Sequence, residues 1–158
     1  MANDEVILTP EGKLQLEKEL EELKTVGRKE MSERIKLALS YGDLKENFEY
    51  HAAKNDQGFM ETRIQTIEKT LKRARIVESN DSSKVQIGST VVLNDIEMNE
   101  KLEYRIVGGA EANVLENKIS YESPLGAALM GKSVGDKINV EAPMGVIQYE
   151  LLEIRIGE

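Results

Sequence analysis

Apolar residues in the first half of the chain recur at helical spacing. Leu16, Leu20 and Leu23 form one stripe, which extends less regularly through Met31, Ile35 and Ala38. Thr9-Pro10 marks its start, with Thr as N-cap and Pro at the first helical position. Gly27 interrupts the stripe at a cost of about 1 kcal/mol relative to Ala, so a kink or a close helix contact is expected there. Gly42 ends the segment. A second segment carries Phe48, Ala52, Phe59, Met60, Ile64, Ile67, Leu71 and Ala74. From Met60 the spacing alternates four and three, the seam of a coiled coil. Two helices of about thirty residues, each roughly 45 Å long, must lie antiparallel to pack if a short turn near Leu44 joins them. Gly58 would then fall opposite the stretch from Gly27 to Met31. Only one face of each helix is covered, which accounts for the Glu, Lys and Arg residues between seam positions.

The pattern changes after Glu78-Ser79-Asn80-Asp81-Ser82-Ser83, a polar stretch without periodicity. Val85 to Leu93, Leu102 to Val107, Lys118 to Tyr121, Lys137 to Val140 and Val146 to Ile156 are β-rich or alternating. Ser123-Pro124 can cap a short helix through Met130, and Gly108-Gly109, Gly135-Asp136 and Pro143-Met144-Gly145 are turn sequences. The expected architecture is α+β: a helical hairpin over residues 1–78, a linker over 79–84 and a small β-rich domain over 85–158.

Composition narrows the class. With 40% hydrophobic and 32% charged residues, much exposed helix in a soluble protein is expected. No apolar run reaches transmembrane length, and the acidic start Met1-Ala2-Asn3-Asp4-Glu5 lacks the features of a signal peptide. The absence of cysteine excludes a disulfide framework and fits a reducing compartment, so a cytoplasmic location is expected. The net charge of −8 argues against broad binding to nucleic-acid backbones. Residues 1–80 contribute 14 − 16 = −2 and residues 81–158 the remaining −6, so only the first half is suited to a local basic face.

Candidate chemistry gathers where the hairpin turns. Asp43 and Glu46 stand three residues apart at the far end of a rod. Carboxylates suit a hard cation such as Mg²⁺, which keeps several waters and needs few protein oxygens when phosphates supply the rest. On spacing alone the commoner use of such a pair is local, with Asp43 capping the second helix and Glu46 in its first turn. Tyr41, Phe48 and Tyr50 cluster nearby; exposed rings can stack on bases, but such rings more often staple a turn to its helices. His51, the only histidine, has no second His or Cys with which to build a zinc site. Gly126-Ala127-Ala128-Leu129-Met130-Gly131-Lys132-Ser133 matches the phosphate-loop pattern, but the helix signal lies before it rather than after, which argues against a nucleotide cofactor.

The run Gly42-Asp43-Leu44-Lys45-Glu46-Asn47, continued by Glu49-Tyr50-His51-Ala52-Ala53, resembles the tip of the bacterial Gre transcript cleavage factors. The resemblance covers nearly the whole chain: Thr9-Pro10-Glu11-Gly12, Gln57-Gly58-Phe59, Tyr104-Arg105-Ile106-Val107-Gly108, Ser123-Pro124-Leu125, and Gly131-Lys132 through Gly135-Asp136. It implies an N-terminal antiparallel coiled coil followed by an FKBP-like domain. It also implies an accessory factor rather than an enzyme. In that family the coiled coil enters the secondary channel of bacterial RNA polymerase, its tip reaches the active centre, and the polymerase cleaves the 3′ end of a backtracked nascent RNA. The C-terminal domain docks at the channel rim. Asp43 and Glu46 then correspond to the residues that hold or position Mg²⁺ jointly with the polymerase, not in the isolated protein. Lys54 and Tyr50 correspond to RNA-facing positions; Arg34, Lys36, Lys45 and Arg63 are further basic candidates. Related factors often carry arginine three residues before the tip glycine, where this chain has Leu39. Three other readings remain open: a Gre-like inhibitor of polymerase, an FKBP-like peptidyl-prolyl isomerase, and a coiled-coil adaptor or holdase. The isomerase would need an aromatic-lined pocket, yet the C-terminal half has only Tyr104, Tyr121 and Tyr149.

Overall fold

The computed structural model describes residues 5–42 and 44–156. The chain divides into two compact units, an arm formed by Leu14–Arg73 and a body formed by the residues before it and from Ala74 onward.

The arm is a helical hairpin. Its first limb continues α1 (Pro10–Glu22) through one π-helical turn, Leu23–Gly27, into α2 (Arg28–Leu39). The irregularity expected at Gly27 is this wide turn, where the Thr25 hydroxyl donates to the Glu21 carbonyl at 2.7 Å and loosens the regular ladder. The return limb is α3 (Phe48–Lys72). Ala38, Ala53, Ile64 and Ile67 are buried between the limbs. On α3 the seam runs Tyr50, Ala53, Gln57, Met60, Ile64, Ile67 and Leu71, all buried or half-buried. The four-and-three spacing that begins at Met60 therefore extends backward through Gln57 and Ala53. Phe48, Ala52 and Phe59, expected in the seam, lie one or two positions off it and face water, with Phe48 86% and Phe59 68% exposed. Gly58 is exposed as well, so it does not face the first limb. The limbs are cross-linked by Lys24–Glu68 at 3.1 Å, Arg28–Glu61 at 2.9 Å, Arg34–Asp56 at 2.8 Å and Arg63–Glu19 at 2.8 Å. From Lys24–Glu68 through Arg28–Glu61 to Arg34–Asp56 the numbers fall on α3 as they rise on the first limb, the order of antiparallel limbs.

The body begins with β1 (Val6–Leu8), which pairs in parallel with β2 (Ala74–Ile76), Leu8 opposite Ile76. A five-stranded sheet follows, in the order β5 (Lys118–Ser120), β4 (Glu100–Val107), β3 (Ser89–Asp95), β7 (Gly145–Ile156), β6 (Lys137–Ala142). Only the β4–β5 pair is parallel. A short helix, α4 (Pro124–Leu129), is capped by the Ser123 hydroxyl, which accepts from the Gly126 N–H at 3.1 Å. Val85, Val91, Leu93, Ile106, Leu129, Ile138, Tyr149, Leu151 and Ile154 form the core against which Leu125 and Ala128 of α4 pack. The α+β, FKBP-like architecture expected from the resemblance is present, but its divisions differ from the sequence estimate of 1–78, 79–84 and 85–158. The start of the chain belongs to the body, because β1 finds its partner in β2. The stretch expected as a linker is folded onto the body: Ser79 is buried, and the N–H groups of Asn80 and Asp81 donate to the Gln86 side-chain oxygen.

Thr9 anchors this arrangement. Its hydroxyl accepts from the Gly12 N–H at 3.1 Å, the expected N-cap, and itself donates to Glu111 at 2.5 Å, while the Thr9 N–H donates to the other Glu111 oxygen at 2.6 Å. A Cβ on Gly12 would fall 2.1 Å from the Glu111 carboxyl carbon, so any side chain there would displace the Glu111 carboxylate from Thr9. Beside it, the Arg105 guanidinium donates to Glu11 at 2.8 Å. Burial raises the Glu11 carboxyl pKa, but the Arg105 hydrogen bond and charge, with local hydrogen bonds, outweigh it and leave it below the ordinary value. No helix among the described residues is long and apolar enough to cross a membrane.

Candidate functional site at the tip of the hairpin

The turn of the hairpin is built around Asn47. At the end of α2 the N–H groups of Ser40, Tyr41 and Gly42 fold back onto the carbonyls of Leu37, Ala38 and Leu39. Gly42 then takes φ +104°, a left-handed conformation that costs glycine little and lets the chain leave the helix sharply. Leu44–Glu46 form a single 3₁₀ turn, and α3 starts at Phe48. Asn47 is only 8% exposed. Its side-chain oxygen accepts from the Tyr50 N–H at 2.9 Å, capping α3, and its side-chain nitrogen donates to the Ala38 carbonyl at 2.6 Å. One amide thus closes both limbs, satisfying an orphan donor at the start of α3 and giving a second donor to a carbonyl near the end of α2.

This corrects the local reading of the acidic pair. The cap of α3 is Asn47, not Asp43, and the acid in its first turn is Glu49, not Glu46. Glu46 sits in the 3₁₀ turn before the cap, exposed to solvent. Asp43 lies outside the described residues. The sequence did carry a signal for Asn47: an excellent N-cap residue, with Glu49 placed to favour the helix dipole.

The remaining candidates separate. Lys54 is exposed on α3 and its ammonium donates to the Gln57 oxygen at 3.0 Å. Tyr50 is half-buried, its ring edge-on to His51 with centroids 5.5 Å apart. Arg34 and Arg63 are committed to the cross-limb ion pairs with Asp56 and Glu19, whereas Lys36 and Lys45 are exposed. Leu39, where arginine is common in the resembling family, is 45% exposed. Tyr41 and Phe48 do not staple the turn: their rings stand 64% and 86% exposed. They line an open cleft together with Glu46, Asn47 and Glu49.

In the body, residues 126–133 run from inside α4 into a turn at Gly131, the reverse of a strand–loop–helix phosphate cradle. A cleft in the body is lined by Thr90, Glu103, Tyr104, Arg105, Glu116, Asn117 and Lys118. That lining is mostly charged and polar, unlike the aromatic pocket an isomerase needs.

Comparison with known proteins is consistent along the chain. Residues 6–76 match the family model described as transcription elongation factor, N-terminal, and residues 79–156 match transcription elongation factor, GreA/GreB, C-term. The chain belongs to the GreA/GreB family of transcription elongation factors. Among the relatives of this elongation factor, the transcription elongation factor GreA of Clostridium novyi is 53% identical over 95% of this chain and 96% of that one. That of Thermoanaerobacter pseudethanolicus is 54% identical over 95% and 97%. Among solved structures, GreA factor homolog 1 of Thermus thermophilus is 33% identical over 96% of this chain and 99% of that one, with a TM-score of 0.44. Within this elongation factor, the family boundary near residue 78 falls a few residues after the structural one at Arg73, because β2 closes on β1 before the second motif begins.

Proposed function

We propose that this elongation factor binds bacterial RNA polymerase through its secondary channel and stimulates cleavage of the 3′ end of backtracked nascent RNA, rescuing arrested complexes. The observation that carries the reading is the tip: Asn47 takes over helix capping, and Glu46 is left exposed on a turn at the end of the hairpin. The carboxylate of Glu46, with Asp43 three residues before it, fits a hard divalent cation that takes its other oxygens from polymerase and phosphate. Asp43 and Glu46 would hold Mg²⁺ jointly with the polymerase rather than in the isolated protein. Bound there, Mg²⁺ supplies an acidified water and charge stabilisation at the scissile phosphodiester. The chain's own work is positional. The hairpin carries the carboxylates to the reacting centre, Asn47 holds the turn that presents them, and Lys54 offers its ammonium to an RNA phosphate. Tyr50, edge-on to His51, supports the same face. The protein is therefore an accessory to the polymerase's own nuclease chemistry and uses no nucleotide cofactor of its own. The body docks at the outer rim of the channel.

The test adds the protein to halted, backtracked elongation complexes with Mg²⁺ and follows 3′-labelled RNA. Wild type should release short labelled fragments; Asp43→Ala and Glu46→Ala should bind polymerase normally and release none. Binding without fragment release by wild type would instead identify an inhibitor of the same channel.

A further inference from the structure

The tip carries two rings that fold stability does not explain. Phe48 and Tyr41 sit on opposite sides of the turn, before and after the 3₁₀ segment, and neither joins the seam. Leu39 and Leu44 beside them are also close to half exposed. The rest of the arm's outer surface is largely charged and laced with ion pairs between its limbs. Leu14, Val26 and Phe59 are exposed elsewhere on the arm, but Leu39, Tyr41, Leu44 and Phe48 fall within ten positions at its turn, and such a grouping marks a contact made by that end.

The cleft between these rings contains Glu46 and Glu49. Two carboxylates repel a phosphate but do not repel the face of a base, and they accept hydrogen bonds from exocyclic amines. Aromatic rings supply a stacking platform for any base. We propose that Tyr41 and Phe48 form a nucleobase subsite that stacks an unpaired base at the 3′ end of the displaced RNA, next to Glu46. This rests on the cleavage-factor reading and adds to it a base contact within the cleft. It moves the stacking role from Tyr50, which is half-buried against His51, to two rings that are free to receive a base. It also gives the tip a hold on RNA that needs no cation at Leu39.

The experiment uses backtracked elongation complexes whose terminal RNA base is 2-aminopurine. In buffer depleted of Mg²⁺, wild-type protein should quench the probe by stacking. The Tyr41→Ala/Phe48→Ala variant should bind polymerase but leave the probe unquenched. With Mg²⁺ restored, its maximal cleavage rate should fall about tenfold, the scale of one lost base–aromatic stack, while its half-saturating concentration stays unchanged. With Tyr41 kept, Phe48→Tyr should retain quenching and rate, and Phe48→Leu should lower both. Far-UV circular dichroism should be unaltered throughout, since neither ring is in the seam. Wild-type quenching and cleavage in the double variant would overturn the subsite. So would a raised half-saturating concentration with unchanged maximal rate, which would assign the rings to the channel wall. Absence of cleavage by the wild type itself is a different result, and would remove the cleavage-factor reading first.

Discussion

The arm and the body solve the same stability problem with different means. In the body, nine residues from four strands, α4 and the segment before β3 close one core. In the arm, only Ala38, Ala53, Ile64 and Ile67 among the apolar residues are fully buried, and the outer faces stay wet. A body of this kind is held by area removed from water. A two-helix arm lacks that area and relies on register: a narrow seam, ion pairs between limbs, and an amide that pins the turn. The teaching is that the exposed working end is specified by polar geometry, while the body is specified by burial.

The sharpest way to break this comparison is to excavate both seams. Leu151→Ala in the body should cost about 2–5 kcal/mol, as for other large-to-small core changes. Ile64→Ala should cost less, about 2–3 kcal/mol, because a cavity between two helices can collapse or take in water. Thermal melting followed by calorimetry, with circular dichroism at 222 nm beside it, should show each variant lowering a different transition. A single transition lowered equally by both would mean that arm and body melt together.

A second probe tests the anchor of α1. Gly12→Ala should push the Glu111 carboxylate off Thr9 and cost about 1–3 kcal/mol through stranded donors. In a Glu111→Ala background the same change should cost much less, and a denaturant double-mutant cycle would measure that coupling. Additive costs would show that the close approach is not what selects glycine. Third, Asn47→Ala removes a cap and leaves the Ala38 carbonyl with one fewer donor, costing the arm about 1–3 kcal/mol. Asn47→Ser keeps the capping oxygen but is too short to span the limbs. It should recover most of the stability while amide exchange near the turn stays fast.

The smallest effect is electrostatic. The Arg63 hydrogen bond holds the Glu19 carboxyl below its usual 4.5, against a burial effect in the opposite direction, with the Arg63 charge adding to the lowering. A carboxyl lowered on folding contributes stability above its ordinary pKa and loses that contribution as pH falls through the folded value. Glu19→Gln should therefore melt slightly below wild type at pH 7, by about 0.2–1 kcal/mol for so exposed a pair, and the gap should close below pH 4.5.

These contrasts also explain what the sequence could reveal. The seam from Met60 to Leu71 was legible because its apolar residues are large and regularly spaced. Its continuation was not, because Ala53 and Gln57 carry little hydrophobic signal while the off-seam Phe48 and Phe59 carry a great deal. Hydrophobicity alone does not distinguish a ring buried for stability from one held out for contact. The tip acids were visible as a pair, but their release from capping depended on Asn47 reaching back nine residues to Ala38. Val6–Leu8 went without a strand assignment because the partner strand that defines it lies beyond the whole arm. Thr9 and Glu111 stand 102 residues apart, and nothing local announces their pairing.

That parallel pairing of β1 with β2 gives the arm a place in the chain's topology. Parallel neighbours always need a crossover, commonly a single helix laid on the sheet. Here the crossover has become the instrument, an excursion that leaves from one strand and returns to its neighbour. Matched heptads can be added to or removed from both limbs without cutting a strand of the body, so the reach of the arm is independent of its mount. The opposite edit is not neutral: trimming the chain back to the first helix would delete β1 and leave β2 with an open edge.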